Sequence, residues 1–212
     1  MGKGLNSLLT LSVAAGCAIA GQACAAQPTP DQILSELNFA RTQPAAYAES
    51  LRTYRRHFDG MTALDAGEDG IMTQEGIAAV DEAISFLQRQ PPRVAMSLNP
   101  LLNRSAGGQA SDQSRTGRVG HVGSNGSTFT QRISREGSWQ GEAAEAISYG
   151  MVSATDVVRQ LIIDDGVPDR GHRGTLFDPV LRNVGVGCAP HQTYNEVCVL
   201  DFTTAIIPRP QG

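Results

Sequence analysis

Near the C-terminus two short segments alternate apolar residues and carry one cysteine each, on either side of a run of turn formers. Val184, Val186 and Cys188 alternate along the first, and Cys198, Leu200 and Phe202 along the second, with "APHQTYN" between them. A period of two with one apolar face predicts a β-hairpin with both cysteines on inward faces. The rest of the chain reads as helices with clear stops, so the hairpin is its most firmly placed β unit.

Which cysteines remain depends on the N-terminus. Lys3, the apolar run Leu8 to Ala20 and the small residues Ala23-Cys24-Ala25 read as a secretory signal peptide over residues 1–26. A lipoprotein signal acylated at Cys17, after "VAAG", is the alternative. Removing the signal leaves Cys188 and Cys198. Thiols outside the cytoplasm are oxidised, so these two should pair. Closing so short a loop contributes about 2 to 3 kcal/mol. A metal site at these cysteines and His191 fits no usual zinc spacing.

The chain has 212 residues and a formal charge of −4, which loss of Lys3 makes one unit more negative. A mildly acidic surface argues against nucleic acid, whose binding needs cationic neutralisation of phosphates. The basic cluster "RTYRRH" at 52–57 reads as a solvated helix face. Beyond the signal, no stretch reaches the roughly 18 apolar residues a membrane span needs. The expectation is an exported chain, periplasmic or extracellular.

Helix signals follow in order. Thr29, Pro30 and Gln32 form a capping-box start, with Ile33, Leu34, Leu37 and Ala40 or Arg41 in helical phase. Thr42 and Pro44 restart a helix through Tyr47 and Leu51. Thr73 is expected to cap a stretch in which Ile77, Val80, Ala83, Ile84 and Leu87 share a face, stopped by Pro91-Pro92. Asn99-Pro100 starts a third that fades at Gly117. Ser127 or Thr128 caps a short helix ending at Gly137, and Ser153 opens one with Val157, Val158, Leu161 and Ile162 as its buried stripe.

That last helix runs into "DDGVPDRGHRG", where His172 lies between glycine and arginine, and His121 lies in the Gly-rich "GHVGSNGS". Histidines in such turns often serve only as hydrogen-bonding groups, and Asp164 and Asp165 read equally as turn caps or partners of Arg170 and Arg173. Ser124 lacks the frame of a nucleophile elbow. No phosphate-cradling glycine loop is present.

Taken together, "ELNFARTQP", "GHVGSNGS", "EAISYG", "RGHRGTLFDP" and "NVGVG" resemble, in that order, the CAP superfamily of cysteine-rich secretory, antigen 5 and pathogenesis-related proteins and their bacterial SCP-like relatives. The resemblance spans about residues 30–204. It implies one domain over 27–212 with an α+β fold, a three-layer α-β-α sandwich closed by the stapled hairpin. It also implies a central cleft lined by two histidines and two acids, which in some members holds a divalent metal. His121 and His172 match the histidines and Glu145 the first acid, with Glu142 as second choice. The second acid falls on Asp164 or Asp165.

Two neutral imidazoles with a carboxylate suit zinc and leave a position for water. Such a water can act as a nucleophile, with Glu145, Asp164 or Asp165 as general base. Three readings follow: a binding module for a divalent metal and a lipid or other small ligand; a metal-dependent hydrolase, protease-like, acting on a peptide in the same cleft; and an interaction module with a vestigial cleft.

Overall fold

A computed structural model describes residues 27–64 and 70–209. The signal-peptide reading of residues 1–26, with its Cys17 alternative, lies outside the described residues.

Two helices open the chain, α1 (Pro30–Thr42) and α2 (Pro44–Arg55). The Thr29 hydroxyl accepts from Gln32 N, and the Gln32 side chain accepts from Thr29 N, a reciprocal cap. Removing a capping hydroxyl of this kind costs about 1 kcal/mol. Gln43, not Thr42, separates the two helices. Three two-residue strands follow, β1 (Phe58–Asp59), β2 (Thr62–Ala63) and β3 (Ile71–Met72), paired antiparallel in that order. They are too short to carry a readable period.

Helix α3 (Ile77–Arg89) begins after Gly76, three residues beyond the sequence expectation. The Thr73 hydroxyl accepts from Gly76 N, closing the preceding turn rather than capping the helix. Strand β4 (Ser97–Leu98) and helix α4 (Pro100–Thr116) come next, the helix capped by Asn99 and ended at Gly117 with φ 68°. Helix α5 (Phe129–Glu136) has Thr128 and Gln131 as its capping box. Then come β5 (Ser138–Tyr149), α6 (Ala154–Ile163), α7 (Gly171–Leu176), β6 (Asn183–His191) and β7 (Asn195–Ile207).

The main sheet runs β4-β6-β7-β5, with β5 at one edge. Its two faces sort the chain into three layers. Val184, Val186, Cys198, Leu200, Phe202 and Ala146 face the large core shared with α1, α2, α3 and α6. Residues of opposite parity, Val197, Val199 and Ile147, face Ala106 and Ala110 of α4. On that side α4 lies so close that a Cβ on Gly185 would stand 2.1 Å from the Leu102 carbonyl carbon, and one on Gly187 would stand 2.3 Å from Gly107. Neither position admits a side chain.

The β6–β7 hairpin pairs Cys188 with Cys198 in register, and the two form the disulfide expected from sequence. This is the α+β, α-β-α sandwich with its stapled C-terminal hairpin. Arg41 is fully buried and donates to the carbonyls of Val94, Leu176 and Asp178, joining α1 to both flanking loops. Burial holds its guanidinium down to about 10.

Candidate functional site

β5 is the strand around which the site is built. Glu145, Ile147 and Tyr149 lie on its α4-facing side, two residues apart, as a strand requires. Glu145 stands opposite Asp201 of β7. A register shift between Gln140 and Ala143 puts Glu142 at an exposed bulge, where its backbone N–H donates to the Thr204 hydroxyl. Glu145 is thus the acid brought to His121, and Glu142 is not.

The 117–128 loop that carries His121 is held from several sides. Gly120 N donates to the Tyr149 hydroxyl at 2.8 Å, and Gly120 O accepts from Gln109 and Gln113 of α4. Asp112 accepts from the backbone and hydroxyl of Ser124, which gives that serine a structural place. Arg132 of α5 donates to the carbonyls of His121 and Ser127 and also to Glu145 Oε2. Glu145 Oε1 lies 2.9 Å from His121 Nδ1. The Glu145 side chain is 2 % exposed, whereas the imidazole it holds is 54 % exposed.

The second histidine is positioned by a different device. α6 ends at Asp164 in the left-handed region, φ 57°, which turns its carboxylate towards the start of α7. Asp164 Oδ1 lies 2.6 Å from His172 Nδ1, while Oδ2 accepts from the backbone of His172 and Arg173. This puts a negative charge at a helix N-terminus, where the unpaired N–H groups favour it. Arg173 braces the same corner, donating to the carbonyls of Ile162 and Ile163 and to Glu82. Arg170 pairs with Glu75 and Glu82. Both arginines thus take glutamates of the α3 region as ion-pair partners rather than the neighbouring aspartates, and the stretch read as a loop contains a helix.

Asp165 faces away from both imidazoles in its bonding. It accepts from the backbone of Gln74 and Glu75, tying the α6–α7 loop to the entry of α3. With both oxygens so engaged it is a loop clamp, and the acid at His172 is Asp164.

In each dyad a carboxylate sits on Nδ1. A carboxylate only accepts, so the neutral form of each ring carries its proton on Nδ1 and has its lone pair on Nε2. That is the tautomer a metal-binding imidazole or a general base requires. The acids are thereby committed to orientation. Among the described residues, the one group of three His, Cys, Asp or Glu with ligand atoms within 4.8 Å of one another is Cys188, Glu196 and Cys198, whose sulfurs form the disulfide. The compact set of two imidazoles and a carboxylate expected from sequence does not form.

A cavity of about 440 Å³ opens beside β5. Its lining combines apolar side chains, Phe58, Ile71, Met72, Val80 and Met151, with the polar Tyr149, Gln160, Asp164 and His172. Phe58, Ile71 and Met72 come from the small β1–β3 sheet, within the segment 55–72 that the sequence places at the rim of the cleft. His121 and Glu145 do not line this cavity. They lie along β5 from it, with the Tyr149 hydroxyl joining the cavity wall to the His121 loop.

The sandwich carries two His–acid dyads, one anchored on the edge strand β5 and one where α6 meets α7. The family described as the Cysteine-rich secretory protein family, CAP, matches residues 89–202, more than half of the chain, and the chain belongs to it. Among solved structures, an extracellular protein containing an SCP domain from Bacillus anthracis str. Ames is 16% identical, with a TM-score of 0.44 over 61% of this chain and 38% of its own. An outer surface protein from Borrelia burgdorferi is 18% identical, with a TM-score of 0.45 over 68% of this chain and 98% of its own. This chain therefore spans well under half of the Bacillus protein. A search of curated proteins found no match.

Proposed function

We propose that the protein is an exported binding module whose cleft takes a small amphipathic ligand together with a divalent cation. The cavity carries this reading: about 440 Å³, largely apolar in its lining and bearing an acid-held imidazole. Ligand sites combine apolar lining with a few fixed polar groups in this way. A lipid or other molecule with one polar end would lay its chain along Met72, Ile71 and Phe58 and its head near His172. Export rests on the signal-like residues 1–26.

Zinc fits the donor type. His172 Nε2 on the cavity wall would hold it, with His121 Nε2, along β5 from the cavity, as the second ligand the resemblance implies and the remaining positions left to water or ligand. When bound, the ion would supply Lewis acidity to an oxygen in the cleft. A second reading, hydrolysis, is favoured by the dyads themselves, since an imidazole oriented by a carboxylate is the usual form of a general base.

Zinc content of purified protein, compared with a His121→Ala, His172→Ala double variant, tests the cation; equal content in both removes it. Organic extraction and mass spectrometry should recover an apolar ligand from the unmodified protein and less from Val167→Phe, which narrows the cavity. No recovered ligand from either removes the binding reading. Peptide or ester hydrolysis that vanishes in Glu145→Gln would replace binding by catalysis.

A further inference from the structure

Asp201 stands in the middle of β7 and is completely buried. It lies directly across the ladder from Glu145, on the same face of the sheet. Side chains at such paired positions have Cβ atoms about 5 Å apart, so two carboxyl groups are forced together away from water. Neither Asp201 oxygen accepts a hydrogen bond in good geometry, although the Ser105 hydroxyl lies close enough to pull on the carboxyl. Glu145, in contrast, has Arg132 and His121 as donors. An ionised Asp201 would be a second buried negative charge beside Glu145, able only to accept, with nothing in good geometry to accept from.

A proton resolves this. We propose that Asp201 is a positioning residue of the cleft: as a neutral carboxylic acid it donates to Glu145 from within the sheet, leaving Glu145 as the single charged acid that orients His121. Glu145 then receives donors from His121, Arg132 and Asp201, one from each element around it. The inference deepens the reading of this edge as a His–acid site but requires neither metal nor ligand.

The groups facing Asp201 agree. Burial pushes its carboxyl well above the ordinary aspartate range, and the Glu145 charge pushes the same way; Ser105 on α4 and Arg132 on α5 pull against them. Two carboxyl groups in contact cannot both ionise cheaply.

The test uses the whole protein and Asp201→Asn, an amide of nearly the same shape that still donates. The folded state holds a proton on Asp201 where the unfolded chain has lost it. Stability contributed by that proton therefore falls as pH rises from the ordinary aspartate range through the folded midpoint. The amide variant escapes this loss. It should be more stable than the unmodified protein at neutral pH, and the advantage should disappear below the ordinary aspartate range.

A negatively charged Asp201 predicts the reverse: Asp201→Asn would be destabilised at neutral pH, and that result overturns the proposal. Should the variant not fold, the ¹³C carboxyl shift of Asp201 in the unmodified protein decides alone, a protonated shift at neutral pH supporting the proposal and an ionised one ending it. Zinc content bears on neither outcome, so failure here and failure of the cation reading are separate.

Discussion

The two histidines of the cleft are held by the same bond and built in opposite ways. His121 lies on a loop, and its anchor Glu145 is on a strand fixed by a long ladder to β7 and by a buried guanidinium. His172 lies in the first turn of α7, and its anchor Asp164 also supplies the acceptors that start that helix. The first ring is half exposed on a rigid base, while the second, 28 % exposed, is part of the cavity wall. Orientation of an imidazole thus needs only a buried acceptor on Nδ1, and either a sheet or a helix start can provide it.

If the two anchors differ as described, their removal should differ in kind. Glu145→Gln strands Arg132, a buried cation with its other contacts to carbonyls, and should cost about 3 kcal/mol in chemical denaturation. A loss below about 1 kcal/mol would show that the strand, and not the charge, holds the loop. Asp164→Ala leaves two N–H groups of α7 without acceptors and should cost about 2 kcal/mol, with His172 losing its fixed orientation. Asp164→Asn should recover most of the stability, because asparagine tolerates the left-handed backbone and keeps an acceptor oxygen. His121→Ala should change stability by no more than about 0.5 kcal/mol, since the ring is largely solvated. A larger loss would mean that the ring supports the loop it sits on.

A pH scan sharpens the same contrast from outside the dyads. The Arg170 guanidinium beside Glu75 holds that carboxyl down to about 2, with Gly166 N adding to the effect. A depressed acid contributes stability above its unfolded range that is lost as pH falls towards the folded midpoint. The α6–α7 corner carrying His172 should therefore loosen between about pH 4.5 and 2, which hydrogen exchange at Gly166 reads; the Asp112 carboxyl, held low by Ser124, should release the His121 loop in acid as well, which exchange at Ser124 reads.

Much of this was readable from residues. The capping pairs at Thr29, Thr128 and Ser153 stand where the chain announced them, because a side-chain cap is a local interaction. The stapled hairpin was legible because Val184 to Cys188 and Cys198 to Phe202 keep a strict period. β5 was not. "SWQGEAAEAISY" has alanines and glutamates that favour helix, and with both faces covered by helices it loses the polar alternation that marks a half-buried strand. With the strand unrecognised, only the family resemblance put Glu145 ahead of Glu142, although their places in the ladder differ plainly. Asp201 left a faint trace, a lone acid among the apolar residues of "VCVLDF". Asp164 and Asp165 were inseparable by sequence, since only the backbone turn at the end of α6 decides which one faces His172.

One guanidinium on α5 fastens both the peptide that carries His121 and the acid beneath its ring. The loop and the strand are therefore joined through one cation, and replacing Arg132 would release the His121 peptide and the Glu145 carboxylate together.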